Sequence, residues 1–131
     1  MADTLTVMVV EDELPLLLAI RKKLEHSGFA VVTATDGKQA LDDLTRMMPP
    51  PDLIWLDYYL PSMSGLEFLT NLKKDDRLKD IPVFVVSNTA GPEKIAAMMG
   101  LGANRYFLKA EKRLEEIIGE IHAFIRKGEN G

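Results

Sequence analysis

The sequence predicts an α/β protein: a doubly wound sheet of five parallel strands with helices on both faces. Five short apolar segments alternate along the chain with longer segments of helical periodicity. Three of the short segments are apolar at consecutive positions, which is typical of parallel strands buried on both faces. The length of 131 residues predicts one domain with a single core, spanning residues 1–131.

The predicted elements follow a regular strand-then-helix order. The predicted strands are Leu5–Val10, Ala30–Ala34, Leu53–Leu56, Val83–Val86 and Tyr106–Leu108. The predicted helices are one from Leu14 that stops at His26-Ser27-Gly28, then Lys38–Met48, Gly65–Lys74, Pro92–Met99, and one beginning at Leu114. Right-handed crossovers place helices on both faces, and the flavodoxin-like strand order 2-1-3-4-5 suits five such units. Residues 128–131 are expected to form a frayed tail.

Composition excludes several functional classes. The net charge of −4 gives no basic surface for nucleic acid. The absence of cysteine excludes disulfides and thiolate metal sites. No signal-peptide pattern and no apolar run of membrane length is present, so we expect a cytoplasmic protein.

Polar residues follow four of the five predicted strands. Glu11 and Asp12 follow the first strand, Asp57 the third, Ser87 the fourth and Lys109 the fifth. The carboxyl ends of parallel strands form the ligand-binding edge of such a sheet, and neighbouring strands lie roughly 5 Å apart. The sequence therefore predicts that these side chains converge on one pocket.

Most of these residues also have an ordinary structural interpretation. Asp12 or Glu13 could cap the first helix, and Asp57 could be a solvated strand end. Ser87 could be a turn residue, and Lys109 a surface charge or a structural counter-ion. Their convergence on one edge favours a site instead. Clustered carboxylates repel one another and require a cation, and a site with oxygen ligands alone favours Mg²⁺. With Lys109 as a second positive charge, the arrangement suits a carboxylate that accepts a phosphoryl group.

These motifs together resemble the receiver domains of two-component response regulators, of the chemotaxis-regulator-like kind. The resemblance covers essentially the whole chain and rests on Glu11-Asp12, the segment DYYLPSMSG from Asp57 to Gly65, Ser87, and the segment ANRYFLKA with Tyr106 and Lys109.

The resemblance assigns a role to each site residue. It implies that Asp57 is the phosphoacceptor, that Glu11, Asp12, Asp57 and the backbone carbonyl of Tyr59 form the Mg²⁺ site, and that Ser87, Tyr106 and Lys109 contact the phosphoryl group or act as switch residues. It implies a signalling switch rather than an enzyme, and allows the domain to catalyse its own phosphorylation and dephosphorylation.

The implied partners are a sensor histidine kinase or histidine phosphotransfer protein, and a downstream effector or output domain. Direct contact with nucleic acid or membrane is not expected. The sequence does not identify the kinase or the pathway. No output domain is visible, and both a stand-alone regulator and a fragment of a longer protein remain open.

The chain departs from the family pattern at two positions. Asn88 stands where alanine usually follows the hydroxyl residue, and Ala110 stands where proline usually follows the lysine. The usual Lys-Pro bond is cis, but a cis bond before a residue other than proline costs roughly 2.5–4 kcal/mol. We therefore expect Lys109–Ala110 to be trans, with Lys109 still reaching Asp57.

Three other protein classes compete with the receiver interpretation. A flavodoxin needs a phosphate-binding loop after the first strand, where this chain has acidic residues. Haloacid-dehalogenase-like phosphatases have a second aspartate where this chain has Tyr59. A receiver-like domain that binds protein without being phosphorylated remains an alternative.

Overall fold

The computed structural model describes residues 4–88 and 91–130. In chain order the elements are β1 (Thr6–Val10), α1 (Leu14–His26), β2 (Ala30–Ala34), α2 (Gly37–Arg46), β3 (Leu53–Leu56), α3 (Gly65–Lys73), β4 (Val83–Ser87), α4 (Pro92–Gly100), β5 (Arg105–Leu108) and α5 (Leu114–Asn130). All strand pairs are parallel, and the sheet order is β2-β1-β3-β4-β5. The predicted fold class and strand order are confirmed.

The consecutive apolar residues of the central strands supply both faces of the sheet. In β1, Val7 and Val9 pack against α1 and α5, whereas Met8 and Val10 pack on the opposite face against α2, α3 and α4. The same alternation holds in β3, every residue of which is buried. Full burial of such side chains stabilises the fold by about 1.5–3 kcal/mol each, so the strands that carry the polar edge are also the most strongly anchored.

Local capping signals fix several helix ends. Asp36 begins α2 by accepting a hydrogen bond from the backbone N–H of Gln39 at 2.7 Å, and Ser64 begins α3 in the same way through Glu67 at 3.2 Å. Gly28 ends α1 with a φ of +97°, in the left-handed region that glycine adopts readily.

The predicted ends of the elements lie within one residue of the observed ends, except at the second helix. The second helix ends at Arg46 rather than at Met48. At the expected tail, 128–131, α5 continues to Asn130 and residue 131 lies outside the described residues, so fraying of this end stays a prediction. A glycine in the last turn lowers helix propensity by about 1 kcal/mol, which did not suffice to end this helix.

Arg77, in the connection after α3, closes the carboxyl end of α2. Its guanidinium donates hydrogen bonds to the carbonyl oxygens of Met47, at 2.8 Å, and of Leu44, at 2.5 Å. These carbonyls lie where a helix leaves its last acceptors without partners. Arg77 thus joins the end of α2 to the connection between α3 and β4.

Trp55 lies at the centre of β3 and is fully buried. It packs on the face covered by α1 and α5, and its indole N–H has no hydrogen-bond partner in the part of the chain that the structure describes.

Among the helices of the described residues, none has both the length and the apolar character needed to cross a membrane.

Candidate functional site

The hydrogen-bond ladder of the sheet extends past the strand ends and fixes the polar residues there. The backbone N–H of Asp57 donates to the carbonyl of Val10 at 3.0 Å, and that of Lys109 donates to the carbonyl of Ser87 at 2.8 Å. The N–H of Glu11 donates to Ala34 at 3.1 Å. Each residue is therefore held by a neighbouring strand at the carboxyl edge, as the strand pattern predicted.

Three carboxylates meet at this edge. Glu11, Asp12 and Asp57 each offer an oxygen that lies within 4.8 Å of the others. Glu11 is 0 % exposed and Asp57 is 3 % exposed, whereas Asp12 is exposed. Two buried carboxylates beside a third that faces solvent form a strongly negative site with one open side.

Lys109 compensates part of this charge. Its ammonium lies 3.0 Å from Oε1 of Glu11 and 3.4 Å from Oδ2 of Asp57, so it donates to both buried carboxylates. Burial lowers the pKa of Lys109, but the hydrogen bond to Glu11 and the charge of Asp57 outweigh burial and raise it. Lys109 is therefore cationic at neutral pH.

The single positive charge of Lys109 does not fully compensate the negative charge of the two buried carboxyl groups, Glu11 and Asp57. Burial, followed by the charge of Glu11, raises the pKa of Asp57 to about 6, although Lys109 and the backbone N–H of Tyr59 act in the opposite direction. The carboxylate form of Asp57 still predominates at pH 7, but at a cost in stability. A further cation bound here would relieve that cost.

The loop between β3 and α3 approaches Asp57 closely. The N–H of Gly65 donates to the carbonyl of Tyr58 at 2.6 Å. A Cβ at Gly65 would lie 2.9 Å from the Cα of Tyr58 and 3.0 Å from the carbonyl oxygen of Asp57. Only glycine allows α3 to begin this close to Asp57, which gives a physical reason for the glycine at the end of the DYYLPSMSG segment.

Ser87 and Tyr106 form a pair on adjacent strands. Ser87, the last residue of β4, is 0 % exposed, and its side chain is hydrogen-bonded to Tyr106 on β5. Burial raises the pKa of the Tyr106 phenol, and the hydrogen bond with Ser87 opposes this effect. The two predicted switch residues are therefore in direct contact.

The competing local interpretations can now be compared with the structure. Glu13 occupies the N-cap position of α1, but its side chain makes no capping hydrogen bond. Its backbone N–H instead donates to the Glu11 carboxylate at 3.1 Å.

The peptide bond after Lys109 has the expected geometry. Among the described residues the only cis peptide bond is Met48–Pro49, so Lys109–Ala110 is trans as expected. Lys109 still reaches Asp57.

The sequence did not indicate a role for Lys94, in the first turn of α4. Its ammonium donates a hydrogen bond to the phenol oxygen of Tyr59 and lies 4.8 Å from the Tyr59 ring centroid and 5.5 Å from that of Tyr58. The hydrogen bond with Tyr59 raises the pKa of Lys94. Lys94 and Tyr59 are 35 residues apart, and no local pattern joins them.

A five-unit doubly wound domain with this acidic edge and its lysine has the architecture of a response regulator receiver domain. The sequence model of the family described as "Response regulator receiver domain" matches residues 7–122, and the chain belongs to this family.

Individual relatives agree with this assignment. The chain is 35 % identical over 121 residues to the phosphate regulon transcriptional regulatory protein PhoB of Escherichia coli (strain K12), covering 92 % of this chain and 52 % of PhoB. The phosphorylated cyanobacterial phytochrome response regulator RcpA has a TM-score of 0.80 at 29 % identity, covering 93 % and 91 % of the two chains. The Mn²⁺-bound form of response regulator Rcp1 has a TM-score of 0.79 at 27 % identity, covering 91 % and 92 %.

The chain spans about half the length of the curated relatives that it matches. The family assignment thus concerns the receiver portion of those proteins, and receiver domains are signalling switches. An output domain and its activity are not part of the sequence that matches.

Proposed function

We propose that this domain is a cytoplasmic phosphoacceptor that takes a phosphoryl group onto Asp57 from a sensor histidine kinase or a histidine phosphotransfer protein. In the transfer, an Asp57 carboxylate oxygen attacks phosphorus, the bond between phosphorus and the donor breaks, and the donor leaves with the electron pair of that bond. The observation that supports this most directly is the contact of Lys109 with both Asp57 and Glu11. These contacts hold a cation directly beside the buried carboxylate of Asp57.

Positioning and charge neutralisation account for most of the catalysis of phosphoryl transfer. The backbone bond from Asp57 to Val10 holds the nucleophile in place. With a pKa of about 6, Asp57 is mainly the nucleophilic carboxylate at pH 7. The flexible stem of Lys109 lets its ammonium follow the negative charge from the carboxylate to an incoming phosphoryl oxygen.

The acidic cluster fits a divalent hard cation. Its donors are oxygens only, their spacing of at most 4.8 Å allows a shared ion, and Asp12 supplies an open, exposed side on which Mg²⁺ could keep several waters. We assign Glu11, Asp12, Asp57 and the backbone carbonyl of Tyr59 to this site. Bound there, Mg²⁺ supplies neutralisation of the negative charge on the carboxylates and phosphoryl oxygens. A solved structural neighbour described as Mn²⁺-bound is consistent with such a site in this family.

We further propose that phosphorylation shifts an existing equilibrium through Ser87 and Tyr106. A phosphoryl group adds a charge of about −1.5 to −2, for which the Ser87 hydroxyl is a hydrogen-bond donor. Since Ser87 is bonded to Tyr106, a movement of Ser87 changes the environment of the Tyr106 ring. That ring is half-buried on the last strand, where an effector or an output domain could sense it.

Intact-mass measurement after incubation with acetyl phosphate tests the proposal. The wild type should gain the mass of one phosphoryl group in Mg²⁺ and none in EDTA, and Asp57→Asn should gain none. An Asp76→Asn variant is a matched control, because the Asp76 side chain is 97 % exposed; it should behave as the wild type. A wild type that stays unmodified in Mg²⁺ would instead support the alternative of a receiver-like domain that binds protein without phosphorylation.

A further inference from the structure

A cavity of about 300 Å³ adjoins Lys109, between α1 and α5 on one face of the sheet. Its floor consists of buried side chains from four elements, namely Ile20, Trp55, Val86 and Ile117. The volume lies at the lower end of the range for small-molecule sites, about 300–1,000 Å³. The cavity is therefore large enough for a small organic molecule, and the phosphoacceptor proposal uses only Lys109 of the residues that line it.

The rim of the cavity is cationic. Arg113 is exposed there and Lys112 is half-buried, and among the described residues neither lies within ion-pair distance of a carboxylate. Two acidic residues in the first turn of α5 have other partners. Glu115 pairs with Lys23, and Glu116 accepts a hydrogen bond from the backbone N–H of Arg113 at 2.9 Å. The rim thus offers two positive charges without a carboxylate partner, and the start of α5 adds the positive end of a helix dipole.

Trp55 contributes one polar group to the floor. Its side chain is fully buried, and within the described part of the chain its indole N–H has no hydrogen-bond partner. A buried indole N–H usually has an acceptor. An acceptor on a molecule in the cavity, either an oxygen atom or the face of an aromatic ring, would satisfy this donor.

Lys109 belongs to both the cavity and the candidate site. It lines the cavity, while its ammonium lies 3.0 Å from Glu11 and 3.4 Å from Asp57. An anion in the cavity attracts this ammonium and opposes its contact with Asp57. Two ligands that compete for one side chain lower each other's affinity, and the effect is reciprocal. Occupancy of the cavity is therefore coupled to the charge at Asp57.

We propose that this cavity binds a small aromatic carboxylate and that its occupancy slows the phosphorylation of Asp57. The aromatic body packs on the apolar floor, and the carboxylate lies at the rim near Lys112 and Arg113. The binding site goes beyond the proposed function, whereas the effect on phosphorylation rests on it.

The first test titrates the protein with 2-naphthoate and follows the indole N–H signal by two-dimensional NMR. The chain has a single tryptophan, so this signal belongs to Trp55 at the floor of the cavity. We expect a shift that saturates with concentration. The neutral 2-naphthamide has the same shape and should bind about tenfold more weakly, because the cations of the rim no longer contribute.

Variants separate the charged rim from the apolar floor. The double variant Lys112→Gln, Arg113→Gln should weaken 2-naphthoate binding about tenfold and leave 2-naphthamide within about twofold. Leu16→Phe narrows the half-buried rim and should weaken both compounds about fivefold. Lys38→Gln is the matched control, because Lys38 is exposed on α2, which covers the opposite face of the sheet; it should change neither affinity.

The second test measures the gain of phosphoryl mass from acetyl phosphate in excess Mg²⁺. Saturating 2-naphthoate should slow this gain about fivefold. Saturating 2-naphthamide should leave the rate within about twofold, since it carries no charge that attracts Lys109.

Each possible result decides part of the inference. The site is overturned if the indole signal shows no saturable shift, if both compounds bind equally well, or if Lys38→Gln weakens binding as much as the double variant. A saturable shift with an unchanged phosphorylation rate overturns the coupling through Lys109. A wild type that gains no phosphoryl mass without either compound refutes the proposed function and the coupling with it, while the titration, which needs no phosphodonor, still decides the binding site.

Discussion

Replacing Asp57 with asparagine should stabilise the metal-free protein at neutral pH. Burial and the charge of Glu11 raise the pKa of Asp57 from its ordinary 3.8 to about 6. The native state therefore holds this proton more tightly than the unfolded state. The contribution of this protonated carboxyl to the free energy of unfolding is fully present below about pH 4 and is lost as the pH rises through about 6.

The size of the effect follows from the two pKa values. Their difference corresponds to about 3 kcal/mol at pH 7.5, where the carboxyl is ionised in both states. At pH 5 the native carboxyl is mostly protonated, and the cost falls to about half. Asparagine is neutral and of similar shape, so Asp57→Asn should avoid this cost.

Urea unfolding in the presence of EDTA, monitored by circular dichroism, tests this prediction. At pH 7.5 the midpoint of Asp57→Asn should exceed that of the wild type by about 1–3 M, and the gain should fall by about half at pH 5. Asp76→Asn should change stability by less than about 0.5 kcal/mol. An equal gain at both pH values would attribute the effect to packing rather than to ionisation, and no gain at pH 7.5 would refute the reasoning.

Three further changes test other parts of the structure. Asp12→Ala should abolish the rise in melting temperature that Mg²⁺ gives the wild type by binding the native state; an unchanged rise would place the ion elsewhere. Gly65→Ala should lower the free energy of unfolding by about 1–3 kcal/mol, because its Cβ would lie 2.9 Å from the Cα of Tyr58; unchanged urea unfolding would contradict this. Arg77→Met should cost about 1–2 kcal/mol and speed amide exchange at the end of α2, since the carbonyls of Met47 and Leu44 lose their donor; exchange as slow as in the wild type would contradict the capping role.

The fold could be predicted because the residue patterns that specify it lie within single strands and helices. The consecutive apolar residues of Leu53–Leu56 can only be buried on two faces, and all four are buried. The same periodicity places Glu11, Asp57, Ser87 and Lys109 at strand ends, and a parallel sheet then brings these ends to one edge. Much of the candidate site therefore follows from strand order alone.

The remaining features depend on contacts between distant segments. Nothing around Lys94 indicates that it reaches Tyr59, and nothing around Arg77 indicates that it closes the end of α2. The raised pKa of Asp57 also depends on burial beside Glu11, which a sequence does not quantify. The trans peptide at Ala110 was predictable, by contrast, because the cost of a cis bond is intrinsic to the residue that follows it.

The burial of Trp55 gives the protein a native optical reporter. It is the single tryptophan of the chain, it is fully shielded from solvent, and it lies two residues before Asp57, which directly follows β3. An excited indole in such apolar surroundings relaxes little, so its fluorescence should lie at short wavelength and move to longer wavelength when unfolding admits water. Because no second tryptophan contributes, intensity and lifetime refer to one position in β3, and a change in charge or packing near Asp57 can be followed without attaching a label.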